Sequence, residues 1–207
     1  MKFGVSVTTT PNRGHIFDRW LENFEKYSKG CPDLFLYVHK DVNYRGIVYS
    51  KNKCLKALYE AGCTHFVLFD DDCIISQHLW WTKYVLSPFN HACWNYNRKI
   101  IKHCGDYNEL QTPNGCMLYC KRIVLDTVGG FDPAFAGYSY EHVNWSDRIF
   151  NSGLTPARYI DVYGTKDLFT MADCPSSVSE NIRAISIPKN YELYKQNYHS
   201  KEFKPFQ

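Results

Sequence analysis

The chain has 207 residues and a formal net charge of +3, from 24 Lys and Arg against 21 Asp and Glu. Hydrophobic residues at 44% and charged residues at 22% exclude a disordered tail, and a chain of this length buries one full core rather than two. No apolar run approaches the roughly 18 residues of a membrane span, and a charge this near neutral excludes a chain built chiefly to bind polyanions.

Aromatic residues reach 16%, and such rings fill cores or line pockets that stack on sugars and nucleobases. The nine cysteines include no CxxC pair. The opening MKFGVSVTTTPNR reads as a strand rather than a signal segment, so reduced thiols in a cytoplasm are expected. A zinc site drawn from His91, Cys93, His103, Cys104, Cys116 and Cys120 would have none of the usual ligand spacings, and buried or loop thiols are the expected outcome.

In chain order, Phe3–Thr8 is a continuous, β-branched run suited to a strand buried on both faces of a parallel sheet. After a turn, Ile16, Phe17, Trp20, Leu21, Phe24 and Tyr27 follow helical spacing, with Gly30 as a stop. Leu34–Val38 predicts a second strand. Ser50 is placed to cap a helix carrying Cys54, Leu55 and Leu58 inward, and Gly62 follows it. His65–Phe69 predicts a third strand, which ends abruptly in Asp70-Asp71-Asp72. This order predicts a single α/β, Rossmann-related domain: a mostly parallel open sheet flanked by helices, with ligands at the carboxyl ends of the strands. Farther on, Cys116–Cys120 predicts a strand, Arg122–Val128 and Tyr140–Asn151 helices, and Arg158–Val162 another strand. The polar, aromatic stretch from Met171 is expected to be a mobile C-terminal lid or tail over the site.

Three consecutive carboxylates repel one another by roughly a kcal/mol or more at close range. A cation relieves that repulsion. Asp70 and Asp72 can jointly hold Mg²⁺ or Mn²⁺ and leave positions for diphosphate oxygens, because hard cations take oxygen ligands.

The segments VSVTTTPNR, a second strand ending near Asp41, SKNKCLKAL and FVLFDDD, in that order, resemble the nucleotide-sugar half of glycosyltransferases with the GT-A fold, most of all family 2 and its relatives. The segment NGCMLYCKRIVLDTVGGFDPAFAGYSYEHVNWSDRIFNSG is similar to the acceptor-side block of that family, where a strand precedes GGFD and an acidic pair opens a helix. The match covers roughly residues 3 to 153. It divides one domain, 1–207, into a nucleotide-sugar half at 1–75, an acceptor half at 76–170 and the C-terminal 171–207.

The resemblance implies a hexosyl- or pentosyltransferase that moves a sugar from a nucleotide sugar, a UDP-sugar foremost, to a hydroxyl. Mn²⁺ or Mg²⁺ would be held by Asp70 and Asp72 of the DxD motif, with His199 as the third ligand. Thr9, Thr10 and Arg13 would edge the nucleoside pocket, Asp41 would meet the base or ribose, and Asp70 and Asp71 would touch the donor. Lys51 and Asn52, near a helix N-terminus, would face the phosphates. The family's Glu-Asp pair is Glu141-His142 here. Glu141 would take the acceptor proton in an inverting transfer, with His142 as the alternative base. Trp80 and Trp81 are either an acceptor wall or core. The acceptor stays open among glycan, lipid, protein and DNA; aromatics interleaved with Lys and Arg in Trp94–His103 and Tyr191–Lys204 suit nucleic acid. Two competing classes are nucleotidyl transfer, for which TTTPNRG supplies a single Gly, and a non-catalytic nucleotide-sugar-binding module.

Overall fold

The computed structural model describes residues 1–174 and 176–206. Strand β1 (Phe3–Thr9) is buried along its whole length, and α1 (Gly14–Tyr27) follows it. Next come β2 (Leu34–Lys40), α2 (Ile47–Glu60) and β3 (His65–Asp70). β1 lies between β2 and β3 and runs parallel to both, with Val5 opposite Leu36 on one side and Val67 on the other. That arrangement gives the apolar run its reason, since both faces and both edges of β1 are covered.

The two helices take opposite faces of the sheet. Trp20 and Phe24 of α1 join a core with Val67 and Phe69, whereas Leu55 and Leu58 of α2 join another with Phe66 and Leu68. The period-two alternation along β3 feeds both cores. Helix α2 does not start at Ser50. Gly46, at φ 95°, is its N-cap, a conformation that glycine adopts freely. Ser50 sits buried in the first turn and donates to the Gly46 carbonyl at 3.0 Å.

The remaining elements are β4 (Cys73–Ile75), α3 (Trp80–Val85), β5 (His91–Cys93), β6 (Ile100–His103), β7 (Tyr107–Leu110), β8 (Met117–Lys121), α4 (Arg122–Val128), α5 (Glu141–Asn151), β9 (Ile160–Val162), β10 (Phe169–Met171) and α6 (Glu180–Asn197). The main sheet has the order β2-β1-β3-β8-β5. β8 is antiparallel to both β3 and β5, so β5 points the same way as β1 to β3 and the sheet is mostly parallel. Two small antiparallel sheets, β10-β4 and β6-β7-β9, flank it.

The C-terminal stretch, expected as a lid or tail, contains a long helix. Residues 180–197 form a helix, capped by Ser179, which accepts from the Ile182 amide at 3.4 Å. The tail beyond it is anchored: the Gly130 amide donates to the Lys204 carbonyl at 2.7 Å, and Lys204 pairs with Asp132 at 3.2 Å. Among the described residues, no helix is long and apolar enough to cross a membrane.

Candidate active site

The carboxyl ends of β1 and β3 lie side by side, with Thr8 opposite Asp70, and the chain leaving β3 delivers the three aspartates there. The structure treats each carboxylate differently. Asp71 turns inward and is only 3% exposed. Arg13 donates to its Oδ1 from Nη2 at 2.7 Å and from Nε at 2.9 Å, and Thr9 Oγ1 donates to its Oδ2 at 2.7 Å. Arg13 Nη2 also reaches Asp72 Oδ2 at 3.1 Å, and Asp72 stays partly open to solvent. Burial works against the Arg13 charge, but Asp71 and Asp72 outweigh it and hold the guanidinium above its ordinary range.

Asp70 faces the other way, toward α2. Lys51 Nζ lies 3.2 Å from its Oδ1, an ion pair on an oxygen that is itself buried. Burial pushes the Asp70 carboxyl up to about 6, and Lys51 limits the rise. Lys51 itself is buried and donates to the Gly115 carbonyl at 2.6 Å. Burial disfavours its charge, yet Asp70 and Glu141 more than restore it. One buried ammonium thus serves carboxylates from β3 and from α5.

Glu141 opens α5 and is also buried. Its Oε1 is 3.0 Å from His142 Nδ1, while its Oε2 is buried with no hydrogen-bond partner among the described residues. Burial favours the neutral acid, but His142, Lys51 and the helix's own N-terminal backbone hold Glu141 ionised, with a pKa of about 2. The His142 ring rests against Gly115, where a Cβ would come within 3.0 Å of ring Cγ and Nδ1. Gly115 therefore admits both the lysine and the imidazole, a part that a glycine in an Asn-Gly turn does not announce.

The structure thus gathers Thr9, Arg13, Asp71 and Asp72 into one cluster, and Lys51, Asp70, Glu141 and His142 into its neighbour. Thr10 stays at the turn, donating to Asn12 Oδ1 at 2.7 Å. Asp71 differs from the donor contact expected of it, because Arg13 and Thr9 occupy both oxygens. Asp41 differs too: its carboxylate accepts from the Arg45 and Gly46 amides at 2.9 and 2.8 Å and so closes the turn before α2. Asn52 donates to the Phe131 carbonyl at 2.9 Å and accepts from its amide at 2.8 Å, which uses its amide on the backbone. His199 is not a third ligand. It lies exposed against Tyr198, whose carbonyl is held by Asn151 at the far end of α5 from Glu141.

Among the described residues, no group of three or more His, Cys, Asp or Glu is placed to hold a metal, and all nine cysteines are free of disulfides. Trp80 is core, with its ring on Phe3 and Phe69 and its Nε1 donating to Ser28, and Trp81 packs against the same core. Trp94, which opens the stretch suited to nucleic acid, is buried too. Cys174, which carried no signal in the sequence, approaches Arg13 Nη2 at 3.4 Å. A cavity of about 510 Å³ opens at the N-terminus of α2, lined by Arg45, Tyr49, Lys53, Pro133 and Gly137, and holds none of the carboxylates.

The parallel β-α-β-α-β half, the acidic end of β3 and the reversed β8 together define the GT-A fold of glycosyltransferases. The structure is similar to the mannosyltransferase PcManGT from Pyrobaculum calidifontis, solved with GDP-Man and Mn²⁺, with a TM-score of 0.58 and 14% identity over 95% of this chain. The chain spans 65% of that protein's length, just under two thirds. It is similar as well to the catalytic domain of Drosophila β1,4-galactosyltransferase 7 in complex with xylobiose, with a TM-score of 0.55 and 11% identity over 89% of this chain and 79% of that one. A mutant of the same enzyme with manganese, UDP-Gal and xylobiose gives a TM-score of 0.53 and 11% identity over 86% and 78% of the two chains. No protein-family model and no curated protein matches the sequence. At these identities the likeness shows the fold.

Proposed function

We propose that the protein is a metal-dependent glycosyltransferase, moving a hexosyl or pentosyl group from a nucleotide sugar to a hydroxyl acceptor with inversion. The observation that carries this is the unpartnered, buried Oε2 of an ionised Glu141, sharing one lysine with Asp70. The residues fit a divalent cation in the chemistry of their donors: Asp70, beside the Lys51 ammonium, and Asp72, which is partly open, both offer hard carboxylate oxygens. Asp70 and Asp72 would hold Mn²⁺ or Mg²⁺, which supplies neutralisation of the departing diphosphate when bound.

The protein's own groups account for the rest. His142 occupies Oε1, so Glu141 presents Oε2 to the acceptor hydroxyl and takes its proton as the new glycosidic bond forms and the bond to the diphosphate breaks. Lys51 sets positive potential behind Asp70, and Arg13 with Thr9 pins Asp71 so that Asp72 is held at the edge. Thr10 is the turn residue left to meet the nucleoside. The cytoplasmic assignment rests on nine unpaired thiols, which suit a reducing compartment.

Transfer and donor-hydrolysis assays with UDP-, GDP- and CMP-sugars and either cation, UDP-sugars first, test the proposal against glycan, lipid, protein and DNA acceptors. Glu141→Gln should keep nucleotide affinity and lose about a hundredfold to ten-thousandfold in turnover. Near wild-type transfer by that variant would overturn the base assignment. Pyrophosphate release would point to nucleotidyl transfer, and binding without turnover to a non-catalytic module.

A further inference from the structure

We propose that Asn190, on α6, is a positioning residue for Glu141, holding the segment 136–140 in the backbone conformation that aims the carboxylate. The proposal rests on Glu141 being the base. Asn190 is fully buried, and its Nδ2 donates to the carbonyls of Ala136 at 3.2 Å, Tyr138 at 3.0 Å and Ser139 at 3.0 Å. All three acceptors lie in the segment just before Glu141, about fifty positions away in the chain.

That segment needs a brace. Ser139 and Tyr140 are consecutive non-glycine residues in the left-handed region, at φ 76° and 67°, a pairing that side chains resist. Tyr140 is the N-cap of α5, and its carbonyl accepts from the Asn144 amide at 2.9 Å, so its backbone angle sets where Glu141 begins. Helix α6 supplies the other restraints. Tyr140 packs on Tyr194 and Tyr191, with ring centroids 5.2 and 5.6 Å apart, and Gly137 lies so close to Ser186 that a Cβ would collide with it. Released from Asn190, the backbone relaxes toward a right-handed conformation and swings the first turn of α5. The Oε1 contact to His142 and the aim of Oε2 go with it.

Asn190→Ala and Asn190→Asp test this in the full chain. The second keeps the shape but sets a carboxylate against three carbonyl oxygens. Turnover should fall at least tenfold in Asn190→Ala and further in Asn190→Asp, with UDP affinity in Mn²⁺ within about twofold of wild type. Hydrogen exchange should quicken in 136–145 and stay unchanged in β1 to β3. Ser139→Gly, which accepts the left-handed backbone without strain, should restore part of the turnover to Asn190→Ala and is the background to use if that variant folds poorly. Wild-type turnover, UDP affinity falling in step with turnover, or unaltered exchange in 136–145 would each overturn the assignment. A wild-type protein that transfers no sugar would remove Glu141 as base, while the exchange measurement still decides whether Asn190 holds the segment.

Discussion

Lys51→Met keeps the length of the side chain and removes a charge that the structure has placed where water does not reach. Two losses follow. Removing one partner of a fully buried ion pair costs about 3–5 kcal/mol. The Asp70 side chain is 31% exposed, so water recovers part of that, and we take about 2 kcal/mol. The Gly115 carbonyl loses a 2.6 Å donor, worth about 1 kcal/mol more. A total of about 3 kcal/mol lowers Tm by roughly 6–12 °C in a chain of this size. Thermal unfolding by circular dichroism measures it. The double variant Lys51→Met/Asp70→Asn separates the two losses, because it removes the stranded carboxylate and keeps the stranded carbonyl. It should unfold several degrees above Lys51→Met. If the two variants unfold together, or if Lys51→Met costs under 1 °C, the lysine is not balancing Asp70.

His142→Ala removes the strongest influence holding Glu141 ionised, so the Glu141 pKa should rise from about 2 and the acid limb of the kcat–pH profile should move to higher pH; an unmoved limb would deny the pairing. Asp161 is buried, with its carboxyl pushed up to about 7 by burial, against a partial pull downward from Thr165, the Asn95 amide and Tyr84. A folded pKa above the unfolded one means stability that is present in acid and lost as pH rises from about 4 to about 7, on the order of a few kcal/mol. Asp161→Asn should therefore gain on wild type in Tm between pH 5 and pH 8, and a constant gap would refute the shift.

The strands β1 to β3 were legible because each is an apolar run between turn residues, and three such runs alternating with helical patterns leave little choice of topology. Roles within the acidic run were not. Asp70, Asp71 and Asp72 are the same residue three times; what separates them is that Arg13 arrives from the turn after β1 and Lys51 from the first turns of α2. The resemblance sets Asp41 against the base or ribose, and Asn52 is expected at the phosphates because it lies near a helix N-terminus. Here both satisfy backbone groups that the sequence gives no means of locating. Helix α6 escaped notice because its apolar residues form no stripe: Ile182, Ile185 and Tyr191 are exposed while Asn190 is buried. His199 answers the resemblance's late-histidine ligand only as the last histidine in the chain, and α6 carries it to the wrong end of α5.

The charges of the two clusters lead to one more expectation. Arg13 is shared between Asp71 and Asp72, and Lys51 between Asp70 and Glu141, so two cations face four carboxylates. His142 also stands against Glu141, so at least one negative charge is left uncompensated, with Asp72 the most open of the carboxylates around Arg13. A nucleoside diphosphate approaching this surface alone adds like charge to like charge, whereas a divalent cation cancels the deficit and then attracts the phosphates. Binding should therefore be conditional: in EDTA, UDP should bind at least tenfold more weakly than in Mn²⁺, and Asp72→Asn should lose most of the Mn²⁺-dependent gain without losing Tm. Titration calorimetry of UDP with and without the cation reads both. Should UDP bind equally well in EDTA, or should Asp72→Asn keep the full gain, the acidic end of β3 is not where the diphosphate sits, and the lysine-paired Asp70 and Glu141 must be explained as a structural ion network instead.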